Sequence, residues 1–280
     1  MAEFFTAILD PDFAFLRNAL VVGFLASISF GIVGTYVVAR RISSMAGAIS
    51  HCVLGGIGAA LFLREWMGWA WLDPVHGAIV AGLVSAVAIG LVSLHAKQRE
   101  DTVIGALWAV GMAVGILFLS KTRAYVDPMS YLFGNILMIS REDLWIVVVL
   151  DLVVICVSVF FYNRFLALCF DEEFAMLRGV KVKAYFLLLL CLTALAIVLL
   201  VRVVGIVLVI ALLTLPAAVA GNLAKRLWQM MLLAIVLCMA FVVFGLALSY
   251  TWNLPAGATI IVVAGLVYLL FVVFQRFVRS

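Results

Sequence analysis

The sequence contains few charged residues for its length. Of its 280 residues, only 11% are charged and 68% are hydrophobic, and the mean hydropathy is +1.32. A typical soluble domain is about 25% charged, because its surface must be covered with polar groups. The scarcity of charge excludes a water-soluble globular protein and indicates that lipid surrounds most of the chain. The net charge of +4 therefore reports membrane orientation and is no argument for binding nucleic acid.

Motifs typical of several enzyme classes are also absent from the sequence. It contains no G-x-x-x-x-G-K-[ST] phosphate loop, no H-E-x-x-H metal motif, no Rossmann glycine pattern and no G-x-S-x-G elbow. Its five cysteines lie in or beside apolar runs, without the paired spacing of a zinc knuckle or a disulfide scaffold. We therefore expect no ATP hydrolysis by this chain. Uphill transport would need energy from a partner or an ion gradient.

Long apolar runs predict an all-α integral membrane protein. A helix needs about 20 mainly apolar residues to span a bilayer. Nine runs of this kind lie at about residues 17–39, 46–64, 77–95, 102–120, 142–162, 182–201, 203–222, 228–250 and 257–275. They fill the chain, so residues 1–280 are expected to form a single transmembrane domain. Counts of eight to ten spans remain open, because the sixth and seventh runs meet near Gly205 with almost no loop.

The distribution of basic residues predicts the orientation. If the loop with Arg40 and Arg41 is cytoplasmic, alternation of the nine spans places most of the 18 Lys and Arg residues on the same side. Cytoplasmic loops of membrane proteins carry such an excess of basic residues. We therefore expect an N-out, C-in protein with an odd number of spans.

Two apolar segments differ from plain spans. Residues 127–138 are too short to cross the membrane, and they predict a short interfacial or re-entrant segment on the outer side. Pro216, inside the seventh run, lacks a backbone N–H and is expected to kink or break its helix. Broken helices at membrane depth often mark a transport pathway.

Residues 170–180 predict a short capped helix on the cytoplasmic side. Asp171, Glu172 and Glu173 stand at its start, where acidic side chains cap a helix and complement its dipole. Arg178 lies near its end, and Gly179 follows as the expected stop signal.

His51 is expected near the middle of the second span. It follows Arg41 by ten residues, or about 15 Å along a helix. Spacings of four, four and three place Gly47, His51, Gly55 and Gly58 on one helical face. Such a strip of small residues packs against protein or lines a cavity. Two interpretations remain open: a histidine that hydrogen-bonds across a helix interface, and a metal or proton site along a path.

Asp151 is a second polar residue at membrane depth. It lies nine residues, or about 14 Å, beyond Glu142 in the fifth run. A carboxylate at the centre of a transmembrane helix costs about 2.5–3.5 kcal/mol on insertion scales, so it needs a partner or water. A structural hydrogen bond and a role in a pathway both remain open.

Eight motifs, taken in order, resemble the ABC-3 family of metal-ion ABC importer permeases. They are RRIS at 40–43, GAISHCVL at 47–54, EDTVIG at 100–105, YLFGNIL at 131–137, FDEEFA at 170–175, VGIVLV at 204–209, LPAAVA at 215–220 and PAGAT at 255–259. The resemblance covers nearly the whole chain. It implies a multi-pass subunit of the bacterial inner (cytoplasmic) membrane that moves a divalent metal ion inward and is not an enzyme.

The resemblance also implies partners. They are a second permease subunit, identical or homologous, a separate pair of cytoplasmic ATPase subunits, and an extracytoplasmic metal-binding protein, with no permanently bound cofactor. By the same resemblance, residues 170–180 are the coupling helix that docks on the ATPase. Its coupling residues are Asp171, Glu172, Glu173, Phe174, Ala175 and Gly179.

One position departs from the family pattern. Many members have an aspartate four residues before the histidine, which makes a pair suited to Zn²⁺ or Mn²⁺, whereas Gly47 occupies that position here. Only His51 carries over, with Cys52 and Asp151 as further candidate ligands, and two copies of His51 could meet in a dimer. A histidine-based site favours zinc as the cargo, with manganese and iron as alternatives.

Two other functions remain open. A permease for a metal chelate, such as a siderophore or a cobalamin-like compound, also has many spans and a coupling helix, although the chain length and the intramembrane His51 favour the bare ion. An integral-membrane enzyme could use His51 and Asp151 as acid and base, but the missing catalytic motifs argue against it.

Overall fold

The described part of the chain is built from α-helices and contains no strand. The structure, a computed structural model, describes residues 4, 6, 7, 10, 13–69, 71–95, 100–122, 132–134 and 141–279. The helices are α1 (Ala14–Ala39), α2 (Ser43–Trp66), α3 (Pro74–His95), α4 (Glu100–Lys121), α5 (Arg141–Phe160), α6 (Tyr162–Phe170), α7 (Glu172–Leu177), α8 (Val182–Val204), α9 (Ile206–Leu223), α10 (Leu227–Trp252) and α11 (Ala256–Arg279).

Eight helices in this part of the chain are long and apolar enough to cross a membrane, namely α1 to α4 and α8 to α11. Helices α5 and α6 meet the same test together, and a bend of 72° separates them. Counted as one broken span, this pair brings the number to nine. The prediction of an all-α membrane protein with about nine spans is therefore confirmed.

Helix α1 lies at the centre of one group of helices and α2 at the centre of another. α1 packs on α9 and α10 and also on α5, whereas α2 packs on α3 and α4. α8 joins the two groups, because it packs on α3 and contacts both α1 and α2. Glycines allow the close approaches: Gly34 of α1 lies against the backbone of Leu213. In lipid, this kind of close backbone packing takes over much of the role that apolar burial plays in water.

The contact between α2 and α3 provides a test of this packing. A Cβ added at Gly56 would collide with the carbonyl oxygen of Gly77, whereas one added at Gly265 of α11 would meet nothing within 4 Å. Both substitutions gain the same helix propensity. We expect Gly56→Ala, but not Gly265→Ala, to lower the free energy of unfolding by about 1–3 kcal/mol, as overpacked cores do. Thermal unfolding of the detergent-solubilised protein measures this, and equal melting temperatures would contradict the packing.

Pro216 was expected to kink or break its helix, and the structure shows no break there. α9 continues through this buried proline to Leu223. Thr214 Oγ1 donates to the carbonyl oxygen of Ile210 at 2.8 Å. This bond does not replace the donor that Pro216 withholds from the carbonyl of Leu212, and it is the packing of neighbouring helices around α9 that allows a membrane helix to tolerate proline. The break lies instead at Gly205, between α8 and α9, where a φ of 88° favours glycine.

Most of the predicted outer segment, residues 127–138, lies outside the described residues. Its described part, residues 132–134, contacts the junction between α8 and α9, because a Cβ at Gly205 would collide with the backbone of Gly134. A Cβ at Gly257, at the start of α11, would likewise meet the carbonyl oxygen of Phe133. This part of the segment therefore packs on the break at Gly205.

Candidate metal pathway and capped helix

His51 lies on α2 and is buried against an aromatic ring of α4. Its imidazole stacks on the indole of Trp108, with ring centroids 4.6 Å apart and an interplanar angle of 21°. The residue is 8% exposed, and its Nδ1 atom has no hydrogen-bond partner in the described part of the chain. A buried polar atom without a partner costs free energy and calls for an explanation, such as a ligand or water.

The glycine strip around His51 packs against α4 of the same chain. A Cβ at Gly55 would lie 2.9 Å from the carbonyl oxygen of Gly111, and one at Gly58 would lie 2.6 Å from that of Gly115. The strip was predicted to pack against protein or to line a cavity. Gly55 and Gly58 pack against protein, and Gly55 also lines a cavity between α2, α3 and α4. Because both helices carry glycine at the contact, their backbones approach closely around the imidazole.

Gly47 leaves the space that Trp108 occupies. A Cβ at this position would lie only 2.9 Å from Cζ3 of the indole. An aspartate at residue 47 could therefore not fit beside Trp108 without a shift of the ring. Gly47, which departs from the family pattern, therefore gives Trp108 the room to stack on His51. Sequence reasoning missed Trp108, although the spacing of Gly111 and Gly115 marks α4 as a close-packing helix.

Cys52 lies beside His51 in sequence, but its thiol already has a partner. Its Sγ donates to the carbonyl oxygen of Leu107 at 3.3 Å. Cys52 also lines an apolar cavity of about 790 Å³ between α2, α3 and α4, whose walls include Trp69 and Val84. The half-buried thiol thus lies at the wall of an apolar cavity and is hydrogen-bonded to the backbone of α4.

Asp151 is buried on α5, against α1. Its Oδ1 accepts a hydrogen bond from Ser29 Oγ at 2.5 Å, and Oδ2 has no partner in the described ranges. The structural hydrogen bond is present, and half of the carboxylate remains unpaired. Among the described residues, no group of three or more His, Cys, Asp or Glu side chains could hold a metal ion. The structure thus does not join His51, Cys52 and Asp151 into one site.

The acidic segment after α6 forms the short helix α7, which is capped at both ends. Asp171 Oδ1 accepts a hydrogen bond from the backbone N–H of Phe174 at 2.8 Å. At the other end, Gly179 has a φ of 75°, and the N–H of Val180 donates to the carbonyl oxygen of Ala175 at 3.0 Å. These are the contacts of an N-cap and of a glycine-terminated helix end.

The side chains of α7 divide into inward and outward sets. Ala175 is buried, and the Glu172 carboxylate pairs with Arg40 at the end of α1. Glu173 points outward, together with three large apolar side chains of α7, Phe174 (51% exposed), Met176 (54%) and Leu177 (87%), and with Phe170 (70%) at the end of α6. An exposed apolar patch of this kind, beside charged residues, is typical of a protein interaction site.

Comparison with known proteins identifies the family. Residues 12–275 match the ABC 3 transport family. An uncharacterized membrane protein of Synechocystis is 40% identical over 95% of this chain and 92% of that protein. The manganese transport system membrane protein MntC of Listeria monocytogenes is 33% identical over 92% of this chain and 89% of that protein.

A solved structure shows the same fold. PsaBC from Streptococcus pneumoniae, in complex with a Fab, superimposes with a TM-score of 0.84 at 32% identity, covering 96% of this chain and 94% of that one. The chain therefore belongs to the ABC 3 transport family, as a multi-pass permease subunit of an ATP-binding-cassette metal importer in the bacterial inner membrane and not an enzyme.

Proposed function

We propose that a divalent metal ion crosses the membrane past His51. The observation that supports this most is a buried imidazole in the middle of a span whose Nδ1 has no hydrogen-bond partner among the described residues. An ionisable group at this depth is costly and marks an ion path by default. Neutral imidazole is a common ligand for transition-metal ions.

The ion needs further ligands from outside the described part of this chain. One His51 supplies one nitrogen, and the described residues contain no cluster of three ligands around it. A second permease subunit, identical or homologous, would bring another copy of the site. A sparse ligand set fits transport, because a transit site has to release its ion.

Trp108 covers the imidazole in this conformation. The stacked indole excludes water and ligands from one face of the ring. A metal ion binds the lone pair of an imidazole nitrogen in the plane of the ring. We therefore propose that the stacked indole holds the ring in place without occupying the directions from which its nitrogens would bind the ion.

We propose that α7 docks on a cytoplasmic ATPase subunit, and we call it the docking helix. Its exposed Phe174 and Leu177 would fill a pocket of the ATPase, with Glu173 at the rim. This assignment places Arg40 on the cytoplasmic side, in agreement with the N-out, C-in orientation. An extracytoplasmic metal-binding protein would then deliver the ion to the opposite face.

Manganese is the cargo we propose first, because the Listeria relative carries a manganese transport name. Zinc is the second candidate, because Gly47 replaces the carboxylate that a hard ion such as manganese prefers. Both proposals concern the bare ion and not a chelate.

The cargo can be tested in vesicles that contain the permease with its ATPase and binding protein. We expect ATP-dependent uptake of radioactive Mn²⁺ without any chelator, and we expect unlabelled Mn²⁺ to suppress it at lower concentration than Zn²⁺ or Fe²⁺. Uptake of labelled Zn²⁺ at lower concentration than Mn²⁺ would support the second candidate. Uptake that requires a siderophore would contradict both.

A further inference from the structure

Arg40 connects the docking helix to two membrane helices. Its guanidinium pairs with the Glu172 carboxylate, and both side chains are half-buried, at 26% and 36% exposure. The same guanidinium lies over the ring of Phe186 on α8, 5.7 Å from the centroid. Arg40 thus contacts the docking helix and α8 from the end of α1. A charge in this half-buried setting is screened less by solvent than an exposed one.

The backbone on either side of Arg40 is held tightly. Arg41 has a φ of 61°, and the N–H of Ile42 donates to the carbonyl oxygen of Val37 at 2.9 Å. The N–H of Arg41 donates to Val38 at 3.1 Å, which completes a Schellman motif at the end of α1. α2 starts immediately afterwards, at Ser43, so Arg40 lies directly before its first turn. His51 lies eight residues beyond Ser43, the first residue of α2, or about 12 Å along the helix.

Arg40 shares one face of α1 with two other polar residues. Spacings of seven and four residues align Ser29, Tyr36 and Arg40 along the helix. Ser29 donates to Asp151, and the Tyr36 hydroxyl donates to the carbonyl oxygen of Ser158 at 3.5 Å. This face therefore follows α5 from mid-membrane to the docking helix. α1 is one continuous helix over this distance.

We propose that Arg40 is a positioning residue that couples movement of the docking helix to the junction between α1 and α2, and through it to His51. This inference rests on the proposed function, because it takes α7 as the docking helix and His51 as part of the path. In this mechanism the ion pair carries the displacement of the docking helix, while the apolar side chains on its other face hold the ATPase. Binding of the ATPase and coupling to it thus depend on different residues.

The test uses the complete transporter, with ATPase and binding protein, in vesicles. The variants are Arg40→Gln, Glu172→Gln, the reversals Arg40→Glu and Glu172→Arg, and the double reversal. Arg41→Gln is the matched control, because Arg41 is the exposed neighbour with the same charge. The readouts are the metal imported per ATP hydrolysed and the amount of ATPase that co-purifies with the permease.

Each single variant is expected to lower the metal imported per ATP by about 2- to 30-fold, the range that mutations along a coupling route produce. The amount of ATPase that co-purifies should stay at the parental level in every variant. The metal imported per ATP hydrolysed should also stay at the parental level in Arg41→Gln. The double reversal should recover most of the loss relative to the single reversals. Normal ratios in the single variants, or no recovery in the double reversal, would overturn the proposal. Failure of the parental permease to bind the ATPase would instead overturn the proposed docking function.

Discussion

Replacement of His51 by alanine is expected to abolish metal uptake by the assembled transporter. The change removes the imidazole that we place on the path, and alanine offers no other ligand. Even changes to groups that only support metal ligands cost about 10–100-fold, so we expect a loss of more than about 100-fold. Radioactive metal uptake into vesicles measures it, normalised to the amount of permease inserted.

His95→Ala is the matched control for this variant. His95 lies at the exposed end of α3, where its Nδ1 lies 2.7 Å from the carbonyl oxygen of Leu91 in the same helix. Its replacement should leave uptake unchanged, and both variants should still bind the ATPase. Parental uptake by the His51→Ala transporter would remove His51 from the path and leave it as a packing partner of Trp108.

Loss of the apolar side chains on the docking helix should separate the permease from its ATPase. Phe174 and Leu177 are highly exposed at the tip of a capped, well-anchored helix, as expected of anchors at an interface. Residues that dominate an interface contribute about 2 kcal/mol or more each, or roughly 30-fold in affinity. We therefore expect the double variant Phe174→Ala/Leu177→Ala to lose co-purification of the ATPase and ATP-driven uptake together. Binding of purified ATPase to permease in nanodiscs gives the affinity.

Phe277→Ala provides the comparison. Phe277 is 78% exposed near the end of α11, where the predicted orientation puts it on the same side of the membrane as the docking helix. Phe277→Ala thus removes the same type of exposed side chain as Phe174→Ala, but at a place outside the docking helix. Its affinity for the ATPase should stay at the parental value. Equal affinity in the docking-helix variant and in Phe277→Ala would place the ATPase interface elsewhere.

The spans could be predicted from the sequence because lipid imposes a simple rule on each helix. A membrane helix needs an apolar run of sufficient length, and charges interrupt such runs. The border between the sixth and seventh runs stayed open in the sequence, and the structure places it at Gly205. The capped segment after Phe170, by contrast, follows from local chemistry of the same kind as the spans. These features depend on neighbouring residues in the chain, so no tertiary information was needed to find them.

The surroundings of His51 and Asp151 depend on residues distant in sequence, and the sequence alone could not provide them. Trp108 lies on another helix and stacks on His51 because Gly47 leaves it room. Ser29 and Asp151 are 122 positions apart. The absence of a break at Pro216 has the same origin, since packing around α9 maintains a helix that the local rule would interrupt. Similarly, nothing in the acidic run distinguishes Glu172, which pairs with Arg40, from the outward-facing Glu173.

Pulsed electron paramagnetic resonance of Mn²⁺ can show whether the transported ion contacts His51. Only the permease would be labelled with ¹⁵N-histidine. It would be assembled with unlabelled partners into the complete transporter, which would be trapped during turnover with Mn²⁺ as the cargo. We expect a ¹⁵N coupling to manganese that is present in the parental protein and in His95→Ala but absent in His51→Ala. A trapped manganese ion without any ¹⁵N coupling in the parental protein would contradict it.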